Sequence, residues 1–313
     1  MFLLEYRELI HGYRVSALSF GASSLGGVFH RVNERDCIRS VHVALTGGIN
    51  YIDVSPYYGN SRAESILGKA LRDVPRDEYI LSTKAGRNSV DRFDFSPGNI
   101  RKSLEQSLKR LNLDYVDILF LHDIEFGHPF QILNEAIPTV RELQNQGLVR
   151  YLGVSGYPLN VLKRVVKEAN VDVVLSYCHY TLLDKSLLEF LSLLRVHGVS
   201  IVNASPLAMG LLTMQGPPDW HPAGIEIREV CRQVVKYCKA RGVDLAKLAL
   251  QYSVTNKDIP TTLVSTADPN VMKRNIEWIE EPVDEELISE VSSMFELVRN
   301  KTWPSGQEKV WED

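Results

Sequence analysis

Short apolar runs recur along the chain, each separated from the next by a longer amphipathic stretch. The runs are VSALSFG (15–21), INYIDVS (49–55), YILSTK (79–84), VDILFLH (116–122), YLGVS (151–155), VDVVLSY (171–177), VSIVNAS (199–205) and TTLVS (261–265). Most are rich in Val, Ile and Leu without polar alternation, which suits strands buried on both faces, as in a parallel sheet. The stretches between them carry a helical period. NERDCIRSVHVALTGG opens on Asn33, a good N-cap, and closes on Gly47-Gly48. In SPGNIRKSLEQSLKRLN, Ser96 caps, Pro97 takes the first turn, and Ile100, Leu104, Leu108 and Leu111 share one face. QILNEAIPTVRELQNQG, PLNVLKRVVKEAN, KSLLEFLSLLRVHG and IREVCRQVVKYCKARG follow suit, and NSRAESILGKAL reads as a capped helix.

Roughly eight strands alternating with eight or more helices, with no linker, predict a closed (β/α)₈ barrel. One domain is expected over residues 1–313. The main rival, an open doubly wound sheet, usually carries a G-x-G-x-x-G turn after its first strand; FGASSLGG lacks that spacing. The first ten residues are expected to form a hairpin closing the bottom of the barrel. The tail after Asn300, with Trp303, Pro304 and Trp311, has no period and reads as a surface loop.

Composition narrows the function classes. The 313 residues are 44% hydrophobic and 24% charged, an ordinary globular balance. A formal net charge of −4 gives no global field for nucleic acid or an anionic membrane. No apolar run reaches the ~18 residues of a membrane span, and the first residues do not read as a secretory signal. Cys37, Cys178, Cys231 and Cys238 match no zinc or C-x-x-C spacing, and the histidines are scattered. Reduced thiols in a cytosolic protein without a metal are expected.

In a barrel the reactive groups gather at the C-terminal ends of the strands. Those ends carry Gly21 and Ser23, then Asp53 with Tyr57 and Tyr58, Lys84, His122 with Asp123, Ser155, Tyr177, Ser205, and Ser265 with Thr266. Singly, a lysine is a snorkelling surface charge, an aspartate a turn residue, a histidine a structural one. Asp53, a tyrosine, Lys84 and His122 on successive strand ends of one rim make a proton-transfer device. A nearby ammonium lowers a phenol's pKa, a carboxylate keeps the lysine charged, and a neutral imidazole orients an oxygen. Carbonyl/alcohol interconversion wants this set, and its hydride needs a nicotinamide carrier.

With VSALSFGASSLGG, YIDVSPYYGNSRAESILGKAL, LSTKAG, SLKRLNLDYVDILFLHD, GLVRYLGVSGY and ASPLAMGLL, nearly the whole chain resembles the aldo-keto reductase family. The family's Asp-x₄-Tyr spacing selects Tyr58 over Tyr57 as the acid/base. The resemblance implies a tetrad of Asp53, Tyr58, Lys84 and His122, and a barrel that binds NAD(P) without a Rossmann domain. It implies further cofactor contacts at Gly21, Ala22, Ser23, Ser155, Tyr177, Ser205, Leu207, Gly210, Ser265, Thr266, Asp268 and Asn275. Departures fall around the nicotinamide: the usual Asn after Ser155 is Gly156, the usual Gln is Tyr177, and a stacking aromatic is Ala204. Where NADP-preferring relatives place cations, this chain has Ser265, Val271 and the acidic Asp268, so NAD is expected over NADP, with Lys273 and Arg274 close by in sequence.

The tetrad histidine is followed by DIEFGH rather than an apolar wall. Asp123 and Glu125 are therefore expected as acceptors for sugar hydroxyls, unless Asp123 only caps its loop; Phe29, His128 and Trp303 are candidate pocket walls. These features resemble the aldose 1-dehydrogenase branch, implying NAD-dependent oxidation of L-galactose at C1 to L-galactono-1,4-lactone, a step toward ascorbate. The rivals are a broad NADPH-dependent aldehyde or ketone reductase and a binding module like the β subunits of potassium channels.

Overall fold

The computed structural model describes residues 4–312. The chain enters through an antiparallel hairpin, β1 (Tyr6–Ile10) and β2 (Tyr13–Ser16), turned at Gly12. The expected bottom hairpin is thus longer than ten residues, and Met1 to Leu3 lie outside the described residues. Its Leu9 and Val15 are buried in one cluster with Tyr51, Ile118, Val173, Val202 and Leu263, so the hairpin plugs the lower end of the barrel.

Among the described residues, eight parallel strands close the barrel: β3 (Leu18–Gly21), β4 (Tyr51–Asp53), β5 (Ile80–Ala85), β6 (Val116–Leu121), β7 (Val149–Gly156), β8 (Val173–Tyr177), β9 (Ser200–Ala204) and β10 (Thr261–Val264). Each pairs with its sequence neighbour, and β10 pairs back onto β3. All eight lie within or across the apolar runs, because a strand sandwiched between the barrel interior and a helix is covered on both faces.

The outer layer begins with α1 (Glu34–Thr46), α2 (Arg62–Leu71), α3 (Pro97–Leu111), the single turn α4 (Pro129–Gln131), α5 (Ile137–Asn145) and α6 (Leu159–Glu168). It continues with α7 (Leu188–Val196), α8 (Ile225–Ala240), α9 (Leu245–Thr255), α10 (Pro269–Glu280) and α11 (Glu285–Met294). Asn33 and Ser96 cap α1 and α3 as their sequences predict. A π-helical segment, Ile132–Ala136, joins α4 to α5. Pro138 follows it and has no N–H for a regular helical bond, which accounts for the widened turn before it. Ser61 does not cap α2 with its side chain: its backbone is left-handed (φ 69°) and its hydroxyl bonds the Pro56 carbonyl at 3.4 Å. The segment after Asn300 crosses the C-terminal face and is less loose than its sequence suggests, with Trp303 and Trp311 buried. No helix among the described residues is long and apolar enough to cross a membrane.

One buried charge fastens the outer layer to the strand that ends near the site. Glu64 of α2 is fully buried; it accepts from Thr83 of β5 at 2.6 Å and from Arg110 of α3 at 2.7 Å. Removing the carboxylate leaves the buried Thr83 hydroxyl without its acceptor and the half-buried Arg110 without its counter-charge. Glu64→Ala is expected to lower unfolding free energy by about 3–5 kcal/mol, read as the shift of a urea unfolding curve.

Candidate active site

Asp53 ends β4 directly opposite Ser82 of β5. That register puts the Ser82 hydroxyl on Asp53 Oδ1 at 2.7 Å, with the Tyr51 hydroxyl 2.9 Å behind it. Asp53 Oδ2 takes the Lys84 ammonium, which also donates to the Val54 carbonyl at 3.0 Å. Lys84 is 1% exposed. Burial works to strip its proton, but the charge of Asp53, then the Tyr58 phenol, more than offset this and hold the amine above its ordinary value.

Tyr58 lies with its ring centroid 5.0 Å from Lys84 Nζ and 5.9 Å, edge-on, from the His122 ring. Two glycines allow this placement. A Cβ on Gly26 would fall 2.6 Å from the Tyr58 carbonyl, and one on Gly59 (φ 62°) would fall 2.1 Å from the Gly26 carbonyl oxygen. The loop after β3 therefore presses backbone to backbone on the turn that carries the phenol. The ammonium was expected to lower the phenol's pKa; in this structure burial outweighs Lys84 and pushes it up to about 12. Tyr57 stands beside it as a packing neighbour, edge-on to His122 at 5.8 Å and under the Arg87 guanidinium at 3.8 Å.

His122 is gripped at three points. Its backbone N–H donates to the Ala85 carbonyl at 2.8 Å, ring Nδ1 lies 3.0 Å from Ser55 Oγ, and Nε2 lies 3.6 Å from Asp123 Oδ2. Burial, then the charges of Lys84 and Arg87, push its pKa well below the usual imidazole value, so the ring is neutral. Asp123 sits in the left-handed region (φ 53°) and pairs with Arg87. Burial lifts its carboxyl above the ordinary value, and Arg87 opposes that lift. Sequence reasoning does not single out Arg87 or Ser55; the signal was their place two residues beyond a strand end, as in TKAGR and DVS.

The residues expected to hold a dinucleotide occupy the same rim. Ser23 donates to Ser265 Oγ at 3.0 Å, which also accepts from the Ser24 N–H at 2.9 Å, so the ends of β3 and β10 are tied beside Gly21 and Ala22. Ser155 supports the site from below, donating to the Leu121 carbonyl and accepting from the Asp123 N–H. Thr266 Oγ1 accepts from the Asp268 N–H, and Asp268 caps α10 by accepting from the Asn270 N–H at 2.8 Å. Asn275 is buried on α10. In the loop after β9 that holds Leu207, Ser205 (φ 56°), Ala208 (φ 46°) and Met209 (φ 50°) are left-handed beside Gly210. Strain of this kind clusters at ligand clamps.

An aromatic arc borders the mouth. Its centroid separations are 5.8 Å for Phe29–Trp220, 5.1 Å for His221–Trp303, 5.0 Å for Trp303–Tyr157 and 5.3 Å for Tyr157–Tyr177. Phe29, Trp303 and Tyr177 thus share one wall. Two expected substrate contacts are corrected. His128 is exposed and spends Nδ1 as a helix cap on the Phe130 N–H at 3.2 Å. Glu125 is turned under the C-terminal segment: Oε1 accepts from the Tyr157 N–H at 3.1 Å and from Ser305 Oγ at 2.9 Å, and its carbonyl accepts from the Gln307 N–H. Its loop direction, which no periodicity encodes, decides this.

Glu125 also carries a pH dependence. Among the described residues its Oε2 is buried without a hydrogen-bond partner, packed where a Cβ on Gly156 would come within 2.7 Å. Burial, then the charge of Asp123, push its carboxyl from 4.5 up to about 8. The folded state therefore keeps this proton between those values while the unfolded chain has lost it, so stability falls as pH rises through that window. At about 1.4 kcal/mol per pKa unit the loss is at most about 5 kcal/mol. Glu125→Gln is expected to flatten the slope, so that urea midpoints of variant and parent diverge in the variant's favour toward alkaline pH; an unchanged slope would contradict this origin.

Comparison with known proteins agrees with this geometry. The model of the aldo/keto reductase family matches residues 17–296. The chain is 47% identical to the L-galactose dehydrogenase of Arabidopsis thaliana over 97% of its own length and 98% of that protein's. It is 38% identical to the D-arabinose 1-dehydrogenase of Saccharomyces cerevisiae over 69% of this chain and 68% of the relative. An aldo-keto reductase of Bacillus halodurans, solved in its holo form, superposes with a TM-score of 0.80 at 27% identity, covering 97% of this chain and all of that one. A closed eight-stranded barrel whose mouth gathers Asp53, Tyr58, Lys84 and His122, and a family model spanning most of the sequence, lead to one assignment: the chain belongs to the aldo/keto reductase family.

Proposed function

We propose that this chain is an NAD-dependent aldose 1-dehydrogenase that oxidises L-galactose at C1 to L-galactono-1,4-lactone, on the route to ascorbate. The observation that carries the reaction type is the convergence of a phenol, a buried ammonium and a neutral imidazole at one strand-end mouth. The choice of sugar is supported by the 47% identity to an L-galactose dehydrogenase and by the polar Arg87–Asp123 pair beside the imidazole.

Tyr58, as phenolate, removes the proton of the anomeric hydroxyl. Lys84, kept charged by Asp53, favours that phenolate, and His122 orients the C1 oxygen. When bound, the oxidised nicotinamide supplies the hydride acceptor and a positive charge that, like Lys84, favours the phenolate. Residues of the β3, β7, β9 and β10 strand ends would hold that group, with Tyr177 on the aromatic wall against Tyr157.

Preference for NAD is supported by the acidic Asp268 and by the commitment of nearby cations: Lys273 lies 3.5 Å from Glu277 and Arg274 rests over the Trp278 ring. One feature favours NADP instead. The cleft of about 250 Å³ beside Asp268 is also lined by Arg31 and Arg39, of which Arg39 pairs with Asp36.

The reading is tested by following reduced-nicotinamide absorbance with a panel of aldoses and both cofactors. Turnover of L-galactose with NAD well above that with NADP, and little turnover of D-galactose, is the expected result. No turnover would favour a binding module, and equal use of NADP a general reductase. Tyr58→Phe is expected to lower kcat by about 10²–10⁴-fold with NAD binding retained. Because the phenol's pKa is raised, activity of the parent should climb with pH through the alkaline range, a climb that Tyr58→Phe abolishes; turnover near parent level in that variant would sink the assignment.

A further inference from the structure

Ser55 lies two residues past Asp53, at the start of the turn that carries both tyrosines, and is fully buried. Its Oγ accepts from the Tyr57 N–H at 3.1 Å and lies 3.0 Å from His122 Nδ1. A serine hydroxyl has one proton to donate and two lone pairs. With the Tyr57 N–H already on one lone pair, the imidazole nitrogen is the acceptor within reach of that proton. Across the ring, Nε2 lies 3.6 Å from Asp123 Oδ2. That carboxylate is held by Arg87, which itself rests on the Tyr57 ring. A lone pair on Nε2 would face a carboxylate oxygen, whereas an N–H there is attracted to it. Both sides of the ring favour the same arrangement.

We propose that Ser55 is a positioning residue which, together with the Arg87–Asp123 pair, fixes His122 as the tautomer that carries its proton on Nε2. The ring then meets the reacting oxygen as a hydrogen-bond donor and has no lone pair there with which to remove a proton, which leaves proton removal to Tyr58. This kinetic consequence rests on the proposed reaction; the tautomer itself does not.

The test is a two-bond ¹H–¹⁵N correlation spectrum of the full-length, ¹⁵N-labelled protein without substrate, with the His122 signals assigned by their loss in His122→Asn. In the parent, Nδ1 is expected as the bare nitrogen and Nε2 as the protonated one. Ser55→Ala should give a mixture of tautomers and lower kcat/KM for the sugar about tenfold, with KM for NAD unchanged. Ser55→Thr, which keeps the hydroxyl, should restore both readouts. A protonated Nδ1 in the parent, or an unaltered spectrum in Ser55→Ala, overturns the proposal. Should Ser55→Ala fail to fold, the parent spectrum decides alone. A parent that shows the expected tautomer but turns over no sugar would remove the proposed reaction while supporting the role of Ser55.

Discussion

The ion pair between Lys84 and Asp53 sits at the top of the barrel interior, and most of the site depends on its being dry. An ammonium at 1% exposure is tolerable only with a carboxylate in contact. The carboxylate in turn is satisfied by Ser82, which exists in the right place because β4 and β5 pair with Asp53 opposite Ser82. A slip of one residue in that register would turn Lys84 toward the helices and leave Asp53 with neither partner. Strand pairing, and therefore barrel closure, is what places a full positive charge beneath the Tyr58 ring. The same dryness has an opposite effect on the phenol. It strengthens the pull of Lys84 on a phenolate, yet it raises the cost of making one, and the cost wins.

Around this pair the loops act as clamps rather than connectors. Gly26 and Gly59 let the loop after β3 meet the turn after β4 at distances no other residue allows, so Tyr58 cannot drift from Lys84. Arg87 bridges the loops after β4, β5 and β6 by resting on Tyr57 while pairing with Asp123. Glu125 pins the C-terminal segment against the end of β7 through Tyr157 and Ser305. The tail is therefore part of the wall of the mouth, with Trp303 stacked on Tyr157.

The barrel was legible in the sequence because a strand covered on both faces has to be apolar at nearly every position, which is a strong local signal. Helices with one wet face, such as α1 and α3, were equally plain, whereas α9 was not. Its Leu245, Leu248, Ala249, Leu250, Gln251 and Val254 are all buried, so the contrast that makes a helical period visible is missing. Asp53, Lys84 and His122 could be found because each lies at or beside a strand end, a position that topology fixes, whereas Tyr58 lies in the turn beyond β4 and was selected by the family's Asp-x₄-Tyr spacing. Glu125 and His128 were misjudged for the complementary reason: both follow the left-handed turn at Asp123, and where a loop goes after such a turn depends on what packs against it. Ser55 and Arg87 left no trace in periodicity, since their importance lies wholly in contacts with distant segments.

On the proposed reaction, a carboxylate at Asp123 with Arg87 behind it would suit a polyol better than an apolar carbonyl compound. Alone, a buried carboxylate would be driven toward its protonated form. Arg87 opposes this by giving Asp123 its own counter-charge, itself cushioned on the Tyr57 face. The pair then offers acceptor lone pairs and guanidinium protons side by side. A sugar hydroxyl is at once donor and acceptor and can use both, whereas a hydrocarbon skeleton placed there would leave each of them desolvated and unanswered. Selection for a hydroxyl-rich substrate, on the proposed reaction, therefore comes as much from the cost of burying this pair under an apolar ligand as from any bond it makes to the right one.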